Sequence, residues 1–275
     1  MRYEGPIYRP PSEADSLLIQ ATAGCPHNKC TFCMVYKQGP KYRVRPVSEV
    51  IEDMQEARRN LGDAVRTMFL PAGNSMAVPA DQLVEICQAA REIFPLLERI
   101  TVYGSSRTIL DKGEGDLRRL ARAGLSRVHV GLESGDDDVL RSIKKGTTRQ
   151  EQIEAGQMLV RAGIENSTYV MLGIGGRART RAHAQATASA ISRIRPDCVR
   201  VRTFLPKVNT PLLRQIEKGE FEVVSPHEAL TELRTLIAGV ECETWLASDH
   251  YTNYVNAEGG LPRDRTRLLE LVDRA

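Results

Sequence analysis

The chain of 275 residues is 41% hydrophobic and 27% charged, enough to bury one large α/β core with no need of a second domain. A formal charge of +3 is too mild to argue for a nucleic-acid partner. No apolar run approaches the roughly 20 residues that cross a bilayer, and neither a secretory leader nor an evenly spaced cysteine framework is seen, so a cytoplasmic chain with reduced thiols is expected.

In chain order, residues 1–15 are rich in proline and polar groups and are expected to form an extended arm. SLLIQAT (16–22) reads as a buried strand that delivers the loop GCPHNKCTFCMVY (24–36) at its C-terminal end. A small basic run, Lys41, Arg43 and Arg45, is expected on a solvated face; Pro46 and Ser48 then open a helix to about Asn60. Strands at 65–70, 99–103, 127–132, 167–172 and 198–205 alternate with helices at 80–94, 116–123, 149–162 and 179–195, with a helical turn at 139–143. That alternation predicts a parallel sheet with right-handed crossovers, closed or partly closed as a barrel, whose post-strand loops share one face. Those loops read PAGNS (71–75), GSSR (104–107), ESG (133–135), GIGG (173–176) and PKVNT (206–210); small and flexible residues suit a ligand that approaches closely. A helix from Ser225 to about Ala238, a last strand at 241–247, the polar cluster SDHYTNY (248–254) and an amphipathic helix at 263–272 complete the chain.

Three of the six cysteines, Cys25, Cys30 and Cys33, fall within nine positions. Three thiolates on one loop can hold three irons of a cubane 4Fe–4S cluster and leave the fourth open, whereas a closed zinc site needs a fourth protein ligand. His27 lies inside the loop, so a three-cysteine, one-histidine zinc site is the alternative. Cys87, Cys198 and Cys242 are far apart and read as buried thiols, with no second cluster motif. Asp249 and His250 are candidates for substrate contact or proton transfer, because His titrates near neutrality and a neighbouring carboxylate is expected to raise its pKa. The alternative is a turn whose side chains satisfy one another.

The cysteine loop with an aromatic before its last cysteine, the loop after the second strand, VGLESGDDDVL after the fourth and MLGIGG after the fifth together resemble the radical S-adenosylmethionine superfamily. Within it, the likeness is to the branch with oxygen-independent coproporphyrinogen oxidase, the methylthiotransferases and the Elongator catalytic subunit. It covers residues 16–213 and implies a partial (β/α)6 TIM-like barrel of parallel strands, with residues 214–275 as a C-terminal extension on the substrate side. Two departures stand out: four residues separate the first two cysteines where three are usual, and PAGN stands where many members carry two glycines and a glutamate.

By that resemblance, Cys25, Cys30 and Cys33 ligate the cluster and S-adenosylmethionine completes the fourth iron. Reductive cleavage then yields a 5′-deoxyadenosyl radical that abstracts hydrogen from a small-molecule substrate. Phe32 would pack on the adenine side, or serve as a plain core aromatic. Asn74, or the backbone of Ala72 and Gly73, would meet the methionine amino group, and Ser105 or Ser106 the same ligand. Glu133 would accept hydrogen bonds from the ribose, or else cap the next helical turn. Lys145, or Lys144, would face the methionine carboxylate, and Gly173 the adenine. An electron donor such as flavodoxin or ferredoxin is implied. The other readings are an RNA-modifying member of the superfamily and a metal-stabilised barrel that binds a ligand or partner without catalysis.

Overall fold

The computed structural model describes residues 1–275. Ten strands and nine α-helices alternate through most of the chain: β1 (Leu17–Leu18), β2 (Thr22–Ala23), β3 (Arg43–Val44), α1 (Val47–Leu61), β4 (Thr67–Leu70), α2 (Ala80–Ile93), β5 (Arg99–Gly104), α3 (Ser106–Ala123), β6 (Leu125–Glu133), α4 (Asp137–Ser142), α5 (Arg149–Ala162), β7 (Glu165–Leu172), α6 (Thr180–Ile194), β8 (Cys198–Thr203), α7 (Pro211–Glu217), α8 (Pro226–Gly239), β9 (Thr244–Ala247), β10 (Glu258–Leu261) and α9 (Arg265–Asp273). Eight strands form an open, mostly parallel sheet in the order β1-β4-β5-β6-β7-β8-β9-β10, the α/β class expected of a partial barrel.

The chain divides into two compact units. The first holds residues 1–28, 35–129 and 158–165. There β4 pairs in parallel with β1, Leu17 opposite Met68, and with β5, Met68 opposite Ile100. Helices α1, α2 and α3 pack in succession, and Val50, Met54, Leu83, Ile86 and Cys87 are buried on the faces that their spacing marks out. The N-terminal arm is tied down by Glu13, which is fully buried and accepts hydrogen bonds from Ser16, Arg99, Arg127 and His129. Burial acts to raise the Glu13 carboxyl, but His129, Ser16 and Arg99 outweigh it and hold it at about 2.

The second unit holds residues 29–34, 130–157 and 166–275. β7, β8 and β9 run parallel, with Val170 opposite Val201 and Val199 opposite Leu246, and β10 closes back antiparallel on β9. Val170, Leu172, Val199, Val201 and Leu246 bury one face of these strands together with Ile191, Ile194, Leu233 and Leu236 of α6 and α8. With a period of two, Tyr169, Arg200 and Arg202 therefore lie on the other face.

Several expectations need correction. The strand read at 16–22 is two pieces: β1 joins the main sheet, while β2 pairs antiparallel with β3. The basic run is not wholly solvated, since Arg45 is buried against Asp53 at 2.8 Å and bonds the Gln20 carbonyl. Helix α3 is two helical pieces on either side of Gly113, whose φ 71° and ψ 167° are not helical: the second piece holds the expected helix at 116–123, and the first, opened at Ser106 by a Ser105 capping box, was not expected. The last parallel strand before the extension stops at Thr203, and α7 and β10 were not expected.

Candidate functional site

The cysteine loop follows β2; Cys25 belongs to the first unit, Cys30 and Cys33 to the second. In the first unit, Gly73 donates its N–H to the Gly24 carbonyl at 3.1 Å, and a Cβ on Gly73 would stand 2.5 Å from that of Cys25. The loop after β4 thus lies flat against the first cysteine, which only glycine permits, and the preceding Ala72 adopts φ 85° to reach it. The four-residue spacing is accommodated by Asn28, left-handed at φ 39°, whose Nδ2 donates to the Tyr36 carbonyl at 2.8 Å.

In the second unit, Thr31 holds the other two cysteines in place. Its N–H donates to Ile143 O at 2.9 Å and its carbonyl accepts from Leu212 at 3.0 Å, which fixes the segment between the end of α4 and the start of α7. Phe32 packs on the apolar cluster of Val139, Ile143, Met171, Ile174, Phe204 and Leu212, a core position. No disulfide involves any cysteine, and Cys25, Cys30 and Cys33 are all half-buried. No three His, Cys, Asp or Glu side chains are grouped about a single metal ion. Three thiols of one loop, none in a disulfide, fit the iron–sulfur donor set.

Glu133 ends β6 in a left-handed conformation, φ 63°, and its Oε1 accepts from Lys145 Nζ at 3.1 Å, both side chains being only 12% exposed. Burial acts to lower the Lys145 ammonium, but Glu133 together with Cys30 and Cys33 outweighs it, and the net direction is upward. The lysine is therefore charged and lies near Cys30 and Cys33. A Cβ at Gly131 would come within 2.5 Å of Glu133 Oε1 and 2.8 Å of Lys145 Nζ, so the ion pair lies across bare backbone. Sequence reasoning did not single out Gly131; a glycine inside the run RVHVGLE was the available signal.

Asn74 and Ser105 meet each other. Asn74 Nδ2 donates to Ser105 Oγ at 3.0 Å, Asn74 Oδ1 accepts from Thr108 Oγ1 at 3.3 Å, and Ser105 caps α3. At Gly173 the space for a side chain is taken by Val224, 2.6 Å from the notional Cβ, and the amide donates to Glu232 Oε2 at 2.6 Å. Glu232 Oε2 also lies 3.7 Å from His183 Nε2, and His183 Nδ1 meets Ser134 Oγ at 2.8 Å. A buried chain of polar groups thus joins the loops after β6 and β7. Burial raises Glu232 to about 8 and lowers His183 to about 4, so both are largely neutral at pH 7.

Asp249 forms an ion pair with Arg200, Nη1 lying 3.1 and 3.2 Å from its two oxygens. The expectation that a carboxylate would raise His250 is corrected. Burial, then the Arg202 charge, with Lys207 adding to them, outweigh Asp249 and bring His250 down to about 4. His250 is thus a neutral imidazole near pH 7, able to accept a proton only weakly. A recess of about 740 Å³ beside α6 and α8, with Arg177, Arg181, Gln185 and Glu232 in its lining, contains none of the residues expected from sequence.

The family model described as the radical SAM superfamily matches residues 19–182. A tRNA-2-methylthio-N(6)-dimethylallyladenosine synthase of Halalkalibacterium halodurans is 22% identical over 280 residues, covering 89% of this chain and 46% of that protein. Methylornithine synthase superposes with a TM-score of 0.59 at 17% identity, covering 94% of this chain and 68% of that one. Coproporphyrinogen III oxidase from Escherichia coli gives a TM-score of 0.60 at 16% identity, with 81% and 51% covered. The chain spans less than half the length of the first curated relatives it matches.

Proposed function

The chain belongs to the radical SAM superfamily, whose members use a 4Fe–4S cluster and S-adenosylmethionine, and on that premise we propose that it is a radical enzyme acting on a small molecule. Cys25, Cys30 and Cys33 would hold the cluster. When bound, the cluster and S-adenosylmethionine supply one-electron chemistry and a radical that takes hydrogen from substrate. The residues around them hold, orient and exclude. The Glu133 carboxylate offers an acceptor for ribose hydroxyls and keeps its remaining oxygen for that purpose while Oε1 holds Lys145. Lys145 carries the positive charge that a cofactor carboxylate needs. Asn74, already a donor to Ser105 and an acceptor from Thr108, would present the loop backbone of Ala72 and Gly73 to the methionine amino group. Residues 16–213 would form this core, and the segment from 214 onward would carry the substrate side with Asp249 and His250. An electron donor of the flavodoxin or ferredoxin kind would feed the cluster. No helix is long and apolar enough to cross a membrane.

The observation that carries this reading is the three-cysteine loop pinned at Gly24–Gly73 and at Thr31, with a buried lysine charge facing Cys30 and Cys33. Anaerobic reconstitution tests it. About four irons per chain and 5′-deoxyadenosine after reduction are expected, both lost in Cys30→Ala and retained in Cys87→Ala. One tightly held zinc and no cofactor cleavage would overturn it. A second reading, RNA modification, is favoured by the likeness to the tRNA-modifying synthase; it predicts tRNA binding that weakens steeply with salt.

A further inference from the structure

Strand β8 carries two arginines on the face turned away from α6 and α8, and the structure treats them differently. Arg200 is neutralised by Asp249 at 3.1 Å. Arg202, two residues on and on the same face, is half-buried with no carboxylate partner, and its Nε is shut off from solvent without a hydrogen-bond acceptor. A buried guanidinium donor left unmatched is costly.

The surroundings of Arg202 are built, not loose. The segment after β9 is bolted to β8 on both sides of it: Asn253 Nδ2 donates to the Val201 carbonyl at 2.8 Å, Thr203 Oγ1 donates to Asn253 Oδ1 at 3.0 Å, and the Thr203 N–H donates to Thr252 Oγ1 at 3.3 Å. Thr252 in turn fixes His250, whose Nδ1 accepts from the Thr252 N–H at 3.2 Å and lies 2.8 Å from its hydroxyl. With Nδ1 an acceptor, the neutral ring carries its proton on Nε2. Lys207, on the loop after β8, adds a second cation with no carboxylate partner. Three cations therefore share one carboxylate, and that carboxylate is already taken by Arg200.

We propose that this face of β8 binds an oxyanion of the substrate, a carboxylate or a phosphate, through the Arg202 guanidinium, with Lys207 and the His250 ring beside it. A guanidinium presents parallel N–H donors to such a group, and the Arg202 Nη groups, which have no carboxylate partner, supply them. Asp249 then acts as the counter-charge that keeps Arg200 from competing for the anion. The assignment deepens the proposed function by naming the substrate class, and it rests on the substrate lying on this side of the second unit.

The test uses the full chain and two fully ionised probes, sulfate for a tetrahedral oxyanion and trifluoroacetate for a planar one. The His250 ring is followed by NMR as pH is varied. Either probe at millimolar concentration is expected to raise the His250 titration by about half a unit or more, because an anion on Arg202 cancels the charge that depresses it. A response to sulfate alone assigns a phosphate-like group, to trifluoroacetate alone a carboxylate, and to both an oxyanion site open to either. In Arg202→Gln, His250 is expected to titrate higher without any probe and to lose its response. Arg202→Lys keeps the charge and the response, and serves should the glutamine variant not fold. No response in the native chain, or an equal response in Arg202→Gln, would overturn the proposal. Neither result depends on iron or cofactor cleavage, so failure here leaves the radical SAM reading standing, and a missing cluster leaves the anion site standing.

Discussion

Gly131 has no side chain because Glu133 and Lys145 meet over it. Gly131→Ala puts a methyl group within 2.5 Å of the carboxylate and 2.8 Å of the ammonium, so the pair must part or shift. The expected result is S-adenosylmethionine binding weakened about tenfold, or about 1.4 kcal/mol, with iron content unchanged. Calorimetric titration of the reconstituted protein checks it, and unaltered affinity would remove the pair from the cofactor site. Glu133 was legible in the sequence because a carboxylate ending an apolar strand demands a partner. Its partner was not legible as such: Lys145 was assigned a separate role, and only the folded β6–α4 region brings the two to 3.1 Å. The direction of the His250 shift was misread for a related reason. Burial, the largest cause, is set by the fold; Asp249 is adjacent in sequence, while Arg202, the charge that acts against it, is 48 positions away and arrives through sheet registry.

Strands and helices long enough to show their period were readable, and α2 and α5 lie close to the expected positions. Short elements were not. β1 and β2 have two residues each, and β10, EGGL, has two glycines that dilute any alternation. Nor does the sequence reveal the link from Ser134 through His183 to Glu232 and Gly173, since its members come from the loops after β6 and β7 and from α6 and α8. That link makes a pH prediction. Glu232 stands above the ordinary carboxyl range, at about 8, so its contribution to stability is full below that range and is lost as pH rises through about 8. Glu232→Gln keeps an acceptor for the Gly173 amide and cannot ionise. Its unfolding free energy, relative to that of the native chain, is expected to rise from about pH 5 to about pH 8 and to level off above, by on the order of a few kcal/mol. His183, lowered from 6.5 to about 4, is present in both proteins and cancels in the comparison. Parallel pH dependence of the two proteins would show that the carboxyl is already ionised.

Taken together, the order of motifs on successive strand ends carried the family resemblance, and the sheet preserves that order from β1 to β9. The family model matches residues 19–182, much of the stretch in which the resemblance was seen. What the sequence left open was the proposed substrate side, where Arg200, Arg202, Asp249 and His250 gather from two segments about 50 residues apart and only the fold distinguishes the paired arginine from the unpaired one. The central claim remains that three thiolates of one loop leave one iron for S-adenosylmethionine to bind. Electron paramagnetic resonance of the reduced, reconstituted chain addresses it directly: addition of S-adenosylmethionine is expected to change the cluster signal, because the cofactor becomes a ligand of the fourth iron. A cluster signal that is identical with and without the cofactor would contradict it.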